Sequence, residues 1–341
     1  MNNCITVANI DDVKDSGYTP NQIKNAYSLS DGIHIPKKVK VATIDFIGNK
    51  YIQNNLRIFS EKFNLPSTTI NYIDSDKKSD YFNFGAYIEP CVDTQWIHAI
   101  SPFAELYVIR ASEYSVLGAM DAIKALLPEN MDIILLTFQA PFEEEYIEFS
   151  SIFEENTVFV VSAGDTGAGA FFPACFPNCI SVGGTSLSIS KEGKREGEET
   201  VWDRTGGGIC ENFDIPLYQK IFNGISSITN GKRGVPDVAF FADTNPGYAV
   251  YHSSVGDNYG WYNVGGTSLS ASVIAGIISN LLSSRQFENK KQVLPYLYSL
   301  AGKTSYQNSV YYKDIVTGNN GTYHAKNGYD LCTGLGSLNN I

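Results

Sequence analysis

Three acidic residues and one serine have the types and the spacing for acyl-transfer chemistry without a histidine. Glu89 and Asp93 are four residues apart, so on a helix their carboxyl groups share one face. Asp165 lies in Ser-Ala-Gly-Asp after an apolar strand pattern, and Ser268 ends Gly-Gly-Thr-Ser before a long helix pattern. A serine hydroxyl is a weak nucleophile until a neighbouring base takes its proton. The pattern predicts a hydrolase in which carboxyl groups supply that base.

The carboxyl pair has two interpretations. Pro90 fits the first position of a helix, which would put Glu89 at the start and Asp93 one turn later. Trp96 and Ile97 continue the same face and favour burial, where two neighbouring acids share a proton and one can act as a base. The alternative is a solvated helix start, in which acidic residues interact with the helix dipole.

Asp165 and Ser268 also have ordinary alternatives. An aspartate in a glycine-rich turn commonly binds its own backbone, whereas a protonated one can donate a hydrogen bond to an oxyanion. A serine at a helix start is by default an N-cap. A second Gly-Gly-Thr-Ser, at 183–186, precedes a strand-like alternation, and we assign it no catalytic role.

A histidine-based triad is a competing hypothesis. Asp45 ends a strand pattern and His98 follows it, so the chain order Asp–His–Ser exists. However, His98 lies in Trp-Ile-His-Ala-Ile, in the middle of a helix pattern and without flanking glycines. We therefore expect His98 to be a buried interior residue.

Composition restricts the class of protein. The chain has 341 residues, of which 43% are hydrophobic and 13% aromatic, so a large core is expected and global disorder is not. The net charge is −11 and no basic run occurs, which argues against nucleic acid as a partner. We expect no membrane-spanning segment, no secretory signal in the first residues, a monomer and a cytoplasmic location.

The six cysteines are sparse for this length and form no disulfide framework. Cys175 and Cys179 are four residues apart and could pair or bind a metal. Since no second pair with such spacing accompanies them, we predict free thiols and a reducing compartment.

Strand and helix patterns alternate along the first half of the chain. Predicted strands cover residues 39–46, 69–73, 105–110, 131–137 and 157–162. Predicted helices cover residues 20–28, 52–64, 90–100, 115–127, 143–155 and 269–283. Such alternation implies right-handed crossovers and a mostly parallel sheet.

The rest of the chain has less regular patterns. Hairpins and loops are predicted over 183–265, and a glycine-rich, loop-like tail over 304–341. No repeat or linker divides the chain. We predict a polar N-terminal arm on the surface, residues 1–17, and one α/β domain, residues 18–341.

The ordered motifs resemble the sedolisin family, the serine-carboxyl peptidases, along nearly the whole chain. The matching motifs are Tyr18-Thr-Pro, Glu89-x-x-x-Asp93, Trp96-x-His-Ala-Ile-x-Pro102, Ser162-Ala-Gly-Asp165-x-Gly, Val182-Gly-Gly-Thr, Trp202, Thr205-Gly-Gly-Gly208, Pro236-Asp-Val238, Gly266-Thr-Ser268, Asp314-Ile and Gly328-x-Asp330-x-x-Thr-Gly-Leu-Gly336. The resemblance implies a single subtilisin-like α/β domain with a mostly parallel central sheet flanked by helices, acting on peptide or protein substrates.

The same resemblance implies a role for each catalytic residue. Ser268 would be the nucleophile, Glu89 the general base and acid, Asp93 the residue that orients Glu89, and Asp165 a protonated oxyanion-hole donor. The reaction would be endopeptidase cleavage through an acyl-enzyme, with an acidic optimum because the carboxyl set must be partly protonated.

The resemblance further implies one Ca²⁺ ion in a loop within 314–330. Asp314 and Asp330 would supply carboxylate oxygens, while Ile315, Lys326 and Gly328 would supply backbone carbonyls. Lys326 stands where the family usually has glycine, a mild departure because a carbonyl ligand does not depend on its side chain.

Other departures motivate an alternative function. In the family, the strand that binds the substrate tends to have glycine at the position of Gln139, after Thr137-Phe138. A proline commonly follows the nucleophile by four residues, and here Ser272 occupies that position. A side chain at Gln139 would crowd an approaching substrate backbone. The alternative is therefore a catalytically weak or inactive relative that binds peptides. Glycoside hydrolysis is disfavoured because acids one helical turn apart are too close to flank a glycosidic bond.

Overall fold

The computed structural model describes residues 1–4, 6–8, 17–29, 37–73, 83–222, 224–253, 259–302 and 309–340. In these ranges the α-helices are α1 (Pro20–Ala26), α2 (Ile52–Lys62), α3 (Phe84–Ile100), α4 (Val116–Leu126), α5 (Leu217–Lys220), α6 (Ile225–Ile228), α7 (Thr267–Ser284) and α8 (Val293–Leu300). Short 3-10 helices cover Leu127–Glu129, Glu144–Glu154 and Lys290–Gln292.

The strands in the same ranges are β1 (Asn2–Asn3), β2 (Thr6–Ala8), β3 (Lys40–Asp45), β4 (Asn71–Ile73), β5 (Glu105–Arg110), β6 (Ile133–Leu136), β7 (Phe138–Gln139), β8 (Val158–Ser162), β9 (Cys179–Ile189), β10 (Arg195–Val201), β11 (Gly208–Asp214), β12 (Lys232–Val235), β13 (Val238–Phe241), β14 (Tyr248–Ser253), β15 (Tyr259–Gly265), β16 (Tyr312–Lys313) and β17 (Ser337–Leu338).

A mostly parallel sheet forms the centre of the molecule. Its strand order is β16-β17-β13-β9-β8-β6-β3-β5-β4, with β10 paired to β9. All pairs from β4 to β17 are parallel, and antiparallel pairing is confined to β16 and β10. The prediction of a mostly parallel sheet is therefore confirmed. Strand β3 lies between β5 and β6, so the order reverses there, and the carboxyl ends of β3 and β6 border a crevice of the kind where α/β proteins bind ligands.

Helices α3 and α7 pack against one face of this sheet in direct contact with each other. Gly276 of α7 faces Ile100 of α3, and a Cβ at Gly276 would lie only 2.7 Å from the Ile100 Cβ. Further along, the Asn280 side-chain amide donates to the Ile100 carbonyl (3.0 Å). A small residue at this crossing allows the close approach that brings the acids of α3 to the start of α7.

Helix α3 begins earlier than the proline pattern predicts. Asn83 is its N-cap, accepting a hydrogen bond from the Ala86 backbone N–H (3.0 Å), and Pro90 lies inside the helix. The prediction that Pro90 occupies the first helical position was wrong. An interior proline removes one backbone hydrogen bond, which a helix buried over most of its length can tolerate. Glu89 is consequently inside the helix and not at its mouth.

Several other predicted elements agree with the structure, with small differences at their ends. The segment predicted as a helix over 143–155 is the 3-10 helix Glu144–Glu154. The hairpins predicted over 183–265 are present as the antiparallel pairs β9–β10, β11–β12 and β14–β15. The predicted loop-like tail contains the short strands β16 and β17 in its described part.

The described part of the N-terminal arm is attached to the domain by strand pairing. Strand β1 pairs antiparallel with β7, and β2 pairs antiparallel with β15. The surface arm over residues 1–17 stays a prediction; the strand pairing itself was not expected, because it uses backbone groups and leaves no mark in side-chain polarity. Residues 5 and 9–16 of the arm lie outside the described part of the chain.

Helix α7 is long and apolar enough to cross a membrane by length and composition, although no apolar run of that length was expected. It is the one such helix among the described residues, and 78% of its hydrophobic window is buried inside the protein. A core helix passes the same test, and α7 packs between α3 and the central sheet.

Candidate active site

Ser268 is positioned by a sharp change from strand to helix. Strand β15 ends at Gly265, and the next residue, Gly266, has φ +129°, a value that L side chains rarely adopt. Helix α7 then begins at Thr267, so Ser268 is fully buried in its first turn. The Ser268 hydroxyl makes a long contact of 3.4 Å with the Thr137 carbonyl oxygen.

Three hydroxyl groups hold Asp93. Thr43, in β3, and Thr137, directly after β6, both donate to Asp93 Oδ2, the latter at 3.0 Å. Ser272, one turn after Ser268 in α7, donates to Oδ1 (2.9 Å) or alternatively to the Ser268 carbonyl, also at 2.9 Å. Burial raises the pKa of Asp93 to about 7, while the three hydroxyls act in the opposite direction by stabilising the anion.

Glu89 lies one turn before Asp93 and is 4% exposed. Neither of its carboxyl oxygens makes a hydrogen bond of normal geometry to the described residues. Burial, followed by the nearby charge of Asp93, raises the pKa of Glu89 well above its usual value, and the Ser268 hydroxyl is close enough to lower it. Because Asp93 has the donors and Glu89 does not, the shared proton is expected on Glu89 first.

Asp165 follows β8 and faces the start of α7. Its Oδ1 accepts hydrogen bonds from the Thr267 backbone N–H (2.9 Å) and hydroxyl (2.8 Å). Its Oδ2 is buried and has no partner in the described part of the chain. Burial raises the pKa of Asp165 to about 6, against the effects of Thr267 and the Arg204 charge. A buried carboxyl oxygen without a donor favours the protonated form, which can itself donate a hydrogen bond.

Gln139 was noted in the sequence only as an unexpected side chain, and the structure gives it definite contacts. Its Oε1 accepts from the Asp165 backbone N–H (2.7 Å), and its Nε2 donates to the Thr166 hydroxyl (3.0 Å). A Cβ at Gly164 would lie 2.4 Å from Gln139 Oε1. The Gln139 amide therefore fills the space beside the Asp165 turn, and the expected crowding of a substrate backbone stays a prediction.

The hydroxyls of Thr43, Thr137 and Ser272 were not predicted as site residues. Ser272 was noted only as a departure from proline, and the three residues are far apart in sequence. A buried carboxylate needs donors, so the predicted burial of the acid pair was a signal that such residues must exist. Which hydroxyls they are depends on the strand order.

The competing histidine triad is not assembled. The buried His98 ring binds the Pro66 carbonyl oxygen through Nε2 (2.8 Å), and burial lowers its pKa to about 4. Asp45 accepts hydrogen bonds from the backbone N–H groups of residues 47–49, the pattern of a turn-forming aspartate. His98 is the interior residue that the sequence predicted.

The predicted calcium ligands lie around one turn. Asp314 Oδ2 accepts from the Gly328 N–H (2.9 Å), and Asp330 Oδ2 accepts from the Lys326 N–H (3.2 Å). Both carboxylates are therefore attached to the 326–330 turn. Among the described residues, no group of three or more His, Cys, Asp or Glu side chains is placed to hold a metal ion. Binding here would depend on backbone carbonyls, including that of the buried Ile315.

Fold and site together define a subtilisin-like α/β protein with a serine and three buried carboxyl groups at the carboxyl edge of its sheet. The Subtilase family profile matches residues 68–311, and the chain belongs to this family. Among curated relatives, it is 29% identical over 219 residues to sedolisin of Pseudomonas sp. (strain 101), which covers 56% of this chain and 35% of that protein. It is 27% identical over 365 residues to kumamolisin of Bacillus sp. (strain MN-32), which covers 94% of this chain and 62% of that protein.

Solved structures agree with this assignment of the fold. Pseudomonas sedolisin, a serine-carboxyl proteinase complexed with two molecules of pseudo-iodotyrostatin, matches with a TM-score of 0.77 at 24% identity over 95% of each chain. Sphericase matches with a TM-score of 0.57 at 14% identity over 93% of this chain and 97% of that one. The chain is thus a sedolisin-family protein with a subtilisin-like fold. It spans less than two thirds of the length of the two curated relatives described above.

Proposed function

We propose that this chain is a serine-carboxyl endopeptidase that cleaves peptide bonds through an acyl-enzyme on Ser268. The observation that carries the proposal is the convergence of four buried groups from separate parts of the chain. Ser268 lies beside Glu89, Asp93 is anchored to the nucleophile's own helix through Ser272, and Asp165 presents an unpartnered oxygen at the start of that helix. The similarity to sedolisin and kumamolisin supports it.

Each group has a distinct task in this reaction. The Ser268 hydroxyl attacks the substrate carbonyl carbon while Glu89 takes its proton. The negative oxygen that forms is stabilised by the Ser268 backbone N–H and by the protonated Asp165 carboxyl. Glu89 then protonates the leaving amine, and water repeats the sequence to release the acyl group. At rest Asp93 holds the charge of the pair through its three hydroxyl donors; it takes the Glu89 proton as Ser268 attacks, so that Glu89 is ionised and can act as the base.

The protonation states predict a mildly acidic optimum. Asp165 must be protonated to donate, so activity falls as pH rises through its pKa of about 6. The Glu89–Asp93 pair must lose one proton, and activity falls as pH drops below the pKa of Asp93, about 7. Only a fraction of molecules is correctly protonated at any pH, with a maximum between these two values.

Endopeptidase action is favoured because strand edges suited to a peptide lie on both sides of Ser268. Strand β7 pairs with the extended residues Asn2–Asn3 and strand β15 with the extended residues Thr6–Ala8, so each of the two strands beside Ser268 accepts an extended segment. Tripeptidyl-peptidase 1 of Dictyostelium discoideum is a relative at 25% identity over 347 residues. If the groove continues on both sides of Ser268, the substrate can extend beyond three residues before the cut, which favours an endopeptidase over a tripeptidyl-peptidase.

Calcium binding is the second part of the proposal. The donor set of Asp314, Asp330 and nearby carbonyls contains oxygen only, which suits Ca²⁺, and each carboxylate has further lone pairs beyond the N–H groups it accepts. Such an ion would tie the 326–330 turn to β16 and stabilise the fold. A chelator should lower the melting temperature and added Ca²⁺ should restore it. An unchanged melt would remove the ion from the proposal.

A peptide-library cleavage assay across pH 3–8, with Ca²⁺ present, tests the activity. Cleavage by the wild type that is lost in Ser268→Ala and Glu89→Gln supports the peptidase. Cleavage that survives both substitutions refutes the assignment of the site. Binding of peptides without cleavage at any pH would favour the alternative, an inactive peptide-binding relative. A monomeric state, a cytoplasmic location and the absence of nucleic-acid partners stay predictions.

A further inference from the structure

Arg204 lies in the loop between β10 and β11 and binds the turn that carries Asp165. Its side-chain Nε donates to the Asp165 backbone carbonyl (3.3 Å), and its own backbone carbonyl accepts from the Gly167 N–H (2.8 Å). Two residues later, the Gly206 N–H donates to the Gly164 carbonyl (2.7 Å). The segment 204–206 therefore holds the Asp165 turn at three points.

The guanidinium group of Arg204 lies over an aromatic ring. It is 5.6 Å from the centroid of the Trp202 ring, and Trp202 itself is buried. The Trp202 ring lies near the start of α7, since a Cβ added at Gly184 would be 2.9 Å from this ring and 3.5 Å from the Thr267 side chain. A planar guanidinium packs well on an aromatic face. A fixed ring thus positions the Arg204 side chain close to the residues that bind Asp165.

The Arg204 charge has no carboxylate partner among the described residues. Arg195 and Arg233 form ion pairs at 2.6 Å with Glu199 and Asp237, whereas Arg204 forms none in that part of the chain. The Arg204 side chain is exposed, so solvent and salt weaken its field without removing it.

The group on which this charge acts is the Asp165 carboxyl. Burial is the largest effect on the pKa of Asp165 and raises it, while the Thr267 hydrogen bonds and then the Arg204 charge lower it. Glu89, from α3, and the Cys4 thiol are also near enough to interact with the Asp165 charge. Burial raises the pKa of both and favours their neutral forms, whereas an arginine keeps its charge over the whole range of pH 3–8.

We propose that Arg204 is a positioning residue for the oxyanion donor: it fixes the Asp165 turn and sets the upper pH limit of activity. The proposal rests on the proposed function, in which Asp165 must be protonated to donate. A positive charge beside Asp165 favours its ionised form, so that form appears at a lower pH than it would without Arg204. The arginine therefore lowers activity as the pH approaches neutrality.

The two contributions of Arg204 have different signatures. Loss of the Nε–H donor loosens the turn and should lower the maximum of kcat/KM by about fivefold, the equivalent of one hydrogen bond. Loss of the charge should move the alkaline limb of the profile to higher pH by roughly half a unit, the size expected of one exposed charge. Arg204→Gln loses the guanidinium donor and the charge, whereas Arg204→Lys loses the guanidinium donor and keeps the charge.

The pH profile of kcat/KM on an uncharged fluorogenic peptide tests the proposal. In Arg204→Gln the maximum should fall and the alkaline limb should move up, while in Arg204→Lys the maximum should fall and the limb should stay at the wild-type pH. Arg285→Gln is a matched control, because Arg285 is exposed, lies over the Tyr296 ring (4.3 Å) and follows the end of α7 remote from Ser268. Its profile should equal that of the wild type.

Salt provides a second measurement of the same charge. Raising NaCl from about 0.05 M to about 1 M screens an exposed charge. The alkaline limb of the wild type should then move toward that of Arg204→Gln, and the limb of the variant should move less.

An alkaline limb at one pH in the wild type, Arg204→Gln and Arg285→Gln would overturn the proposed pH limit. Equal shifts of the limb in Arg204→Lys and Arg204→Gln would overturn it too, because the charge would then not be the cause. An unchanged maximum in both Arg204 variants would overturn the role in fixing the turn.

Direct titration of Asp165 separates this proposal from the proposed function. Ser268→Ala protein is labelled with ¹³C at the aspartate side-chain carboxyls, and the Asp165 signal is assigned by its absence in Asp165→Asn. Adding Arg204→Gln should move the midpoint of this signal to higher pH, and an unchanged midpoint would contradict the proposal. If the wild type cuts no peptide at any pH while the midpoint moves, the proposed function fails and the effect of Arg204 on Asp165 stands.

Discussion

The chain contains Gly-Gly-Thr-Ser twice, and the two copies have different structures and different surroundings. The copy at 183–186 lies inside β9, in the central sheet, while the copy at 265–268 spans the end of β15 and the start of α7. In both copies the threonine hydroxyl donates to a buried acid: Thr185 to Glu199 (2.6 Å) and Thr267 to Asp165 (2.8 Å).

The two acids differ in how completely they are satisfied. Glu199 also accepts hydrogen bonds from Tyr27 (2.7 Å), Arg195 (2.6 Å) and Ser337 (2.9 Å), so both of its oxygens have partners. Asp165 has one oxygen without a partner in the described part of the chain, and that oxygen is buried. A satisfied acid stabilises the fold, whereas an unsatisfied one beside a reactive group is available for chemistry. The functional copy is therefore identified by the hydrogen bonding of the neighbouring acid and not by the Gly-Gly-Thr-Ser sequence.

The largest expected effect is a loss of peptide cleavage on replacing Ser268 that is not seen on replacing Ser186, the serine of the other copy. Ser268→Ala should lower kcat/KM for peptide cleavage by about 10⁴-fold or more, because the nucleophile is lost. Ser186→Ala should leave it within about twofold, since a surface-side substitution in a strand touches no reacting group. Steady-state kinetics on one fluorogenic peptide measure both. Equal losses in the two variants would contradict the distinction between the copies.

The next largest expected effect is a change in the rate and pH dependence of cleavage on replacing Asp165 that is not seen on replacing Glu199. Asp165→Leu should lower kcat/KM by about 10²- to 10³-fold, the usual effect of losing one oxyanion donor. Asp165→Asn keeps a donor that does not titrate, so the fall in activity as pH rises through about 6 should disappear. The pH profile of kcat/KM checks this, and Glu199→Gln is the control that should keep the fall near pH 6. A profile unchanged in Asp165→Asn would exclude Asp165 as the titrating donor.

Ser272 sharpens the comparison within helix α7. Ser272→Ala removes one donor from Asp93 and should lower kcat/KM by about 10-fold, the equivalent of one hydrogen bond to a charged group. Without that donor the pKa of Asp93 rises above about 7, and the acidic limb of the profile moves to higher pH. Ser270→Ala is a matched control in the same helix, because the Ser270 hydroxyl binds the carbonyls of residues 240 and 241. If the acidic limb of the pH profile lies at the same pH in Ser272→Ala and Ser270→Ala, Ser272 does not position Asp93.

The smallest effect concerns specificity beside the functional copy. Gln139→Gly opens the space next to the Asp165 turn, so larger residues should be accepted before the cut. We expect the ratio of kcat/KM for leucine over alanine at that position to rise by about fivefold, the order of a methylene-sized change in a pocket. Competition between two peptides that differ only there gives the ratio. An unchanged ratio would show that Gln139 does not limit the pocket.

Local patterns predicted those parts of the fold and site that depend on nearby residues. The strand 105–110 follows from an apolar run and the buried helix with Ser268 from an apolar run preceded by Gly265 and Gly266, and the nature of His98 followed from its helical neighbours. The start of α3 was missed because Pro90 at a first helical position is the commoner arrangement. The capping residue Asn83 was the signal that competed with it.

Long-range features could not be predicted in the same way. Thr43, Thr137 and Ser272 meet at Asp93 only because β3 and β6 are neighbours and α7 packs on α3. The position of the arm depends on backbone pairing with β7 and β15, to which residue types contribute little. Asp165 could be recognised as a candidate from its turn, but its unpartnered oxygen is a property of the folded site.

Mapping of the acyl-enzyme is the most direct test that carboxyl groups activate the hydroxyl. The wild type is reacted with a peptide p-nitrophenyl ester at pH 6, quenched with acid, digested and examined by mass spectrometry. The acyl group should be found on Ser268 in the wild type and be absent in Glu89→Gln after the same reaction time. An acyl group on another residue, or equal acylation of Ser268 in Glu89→Gln, would contradict the account.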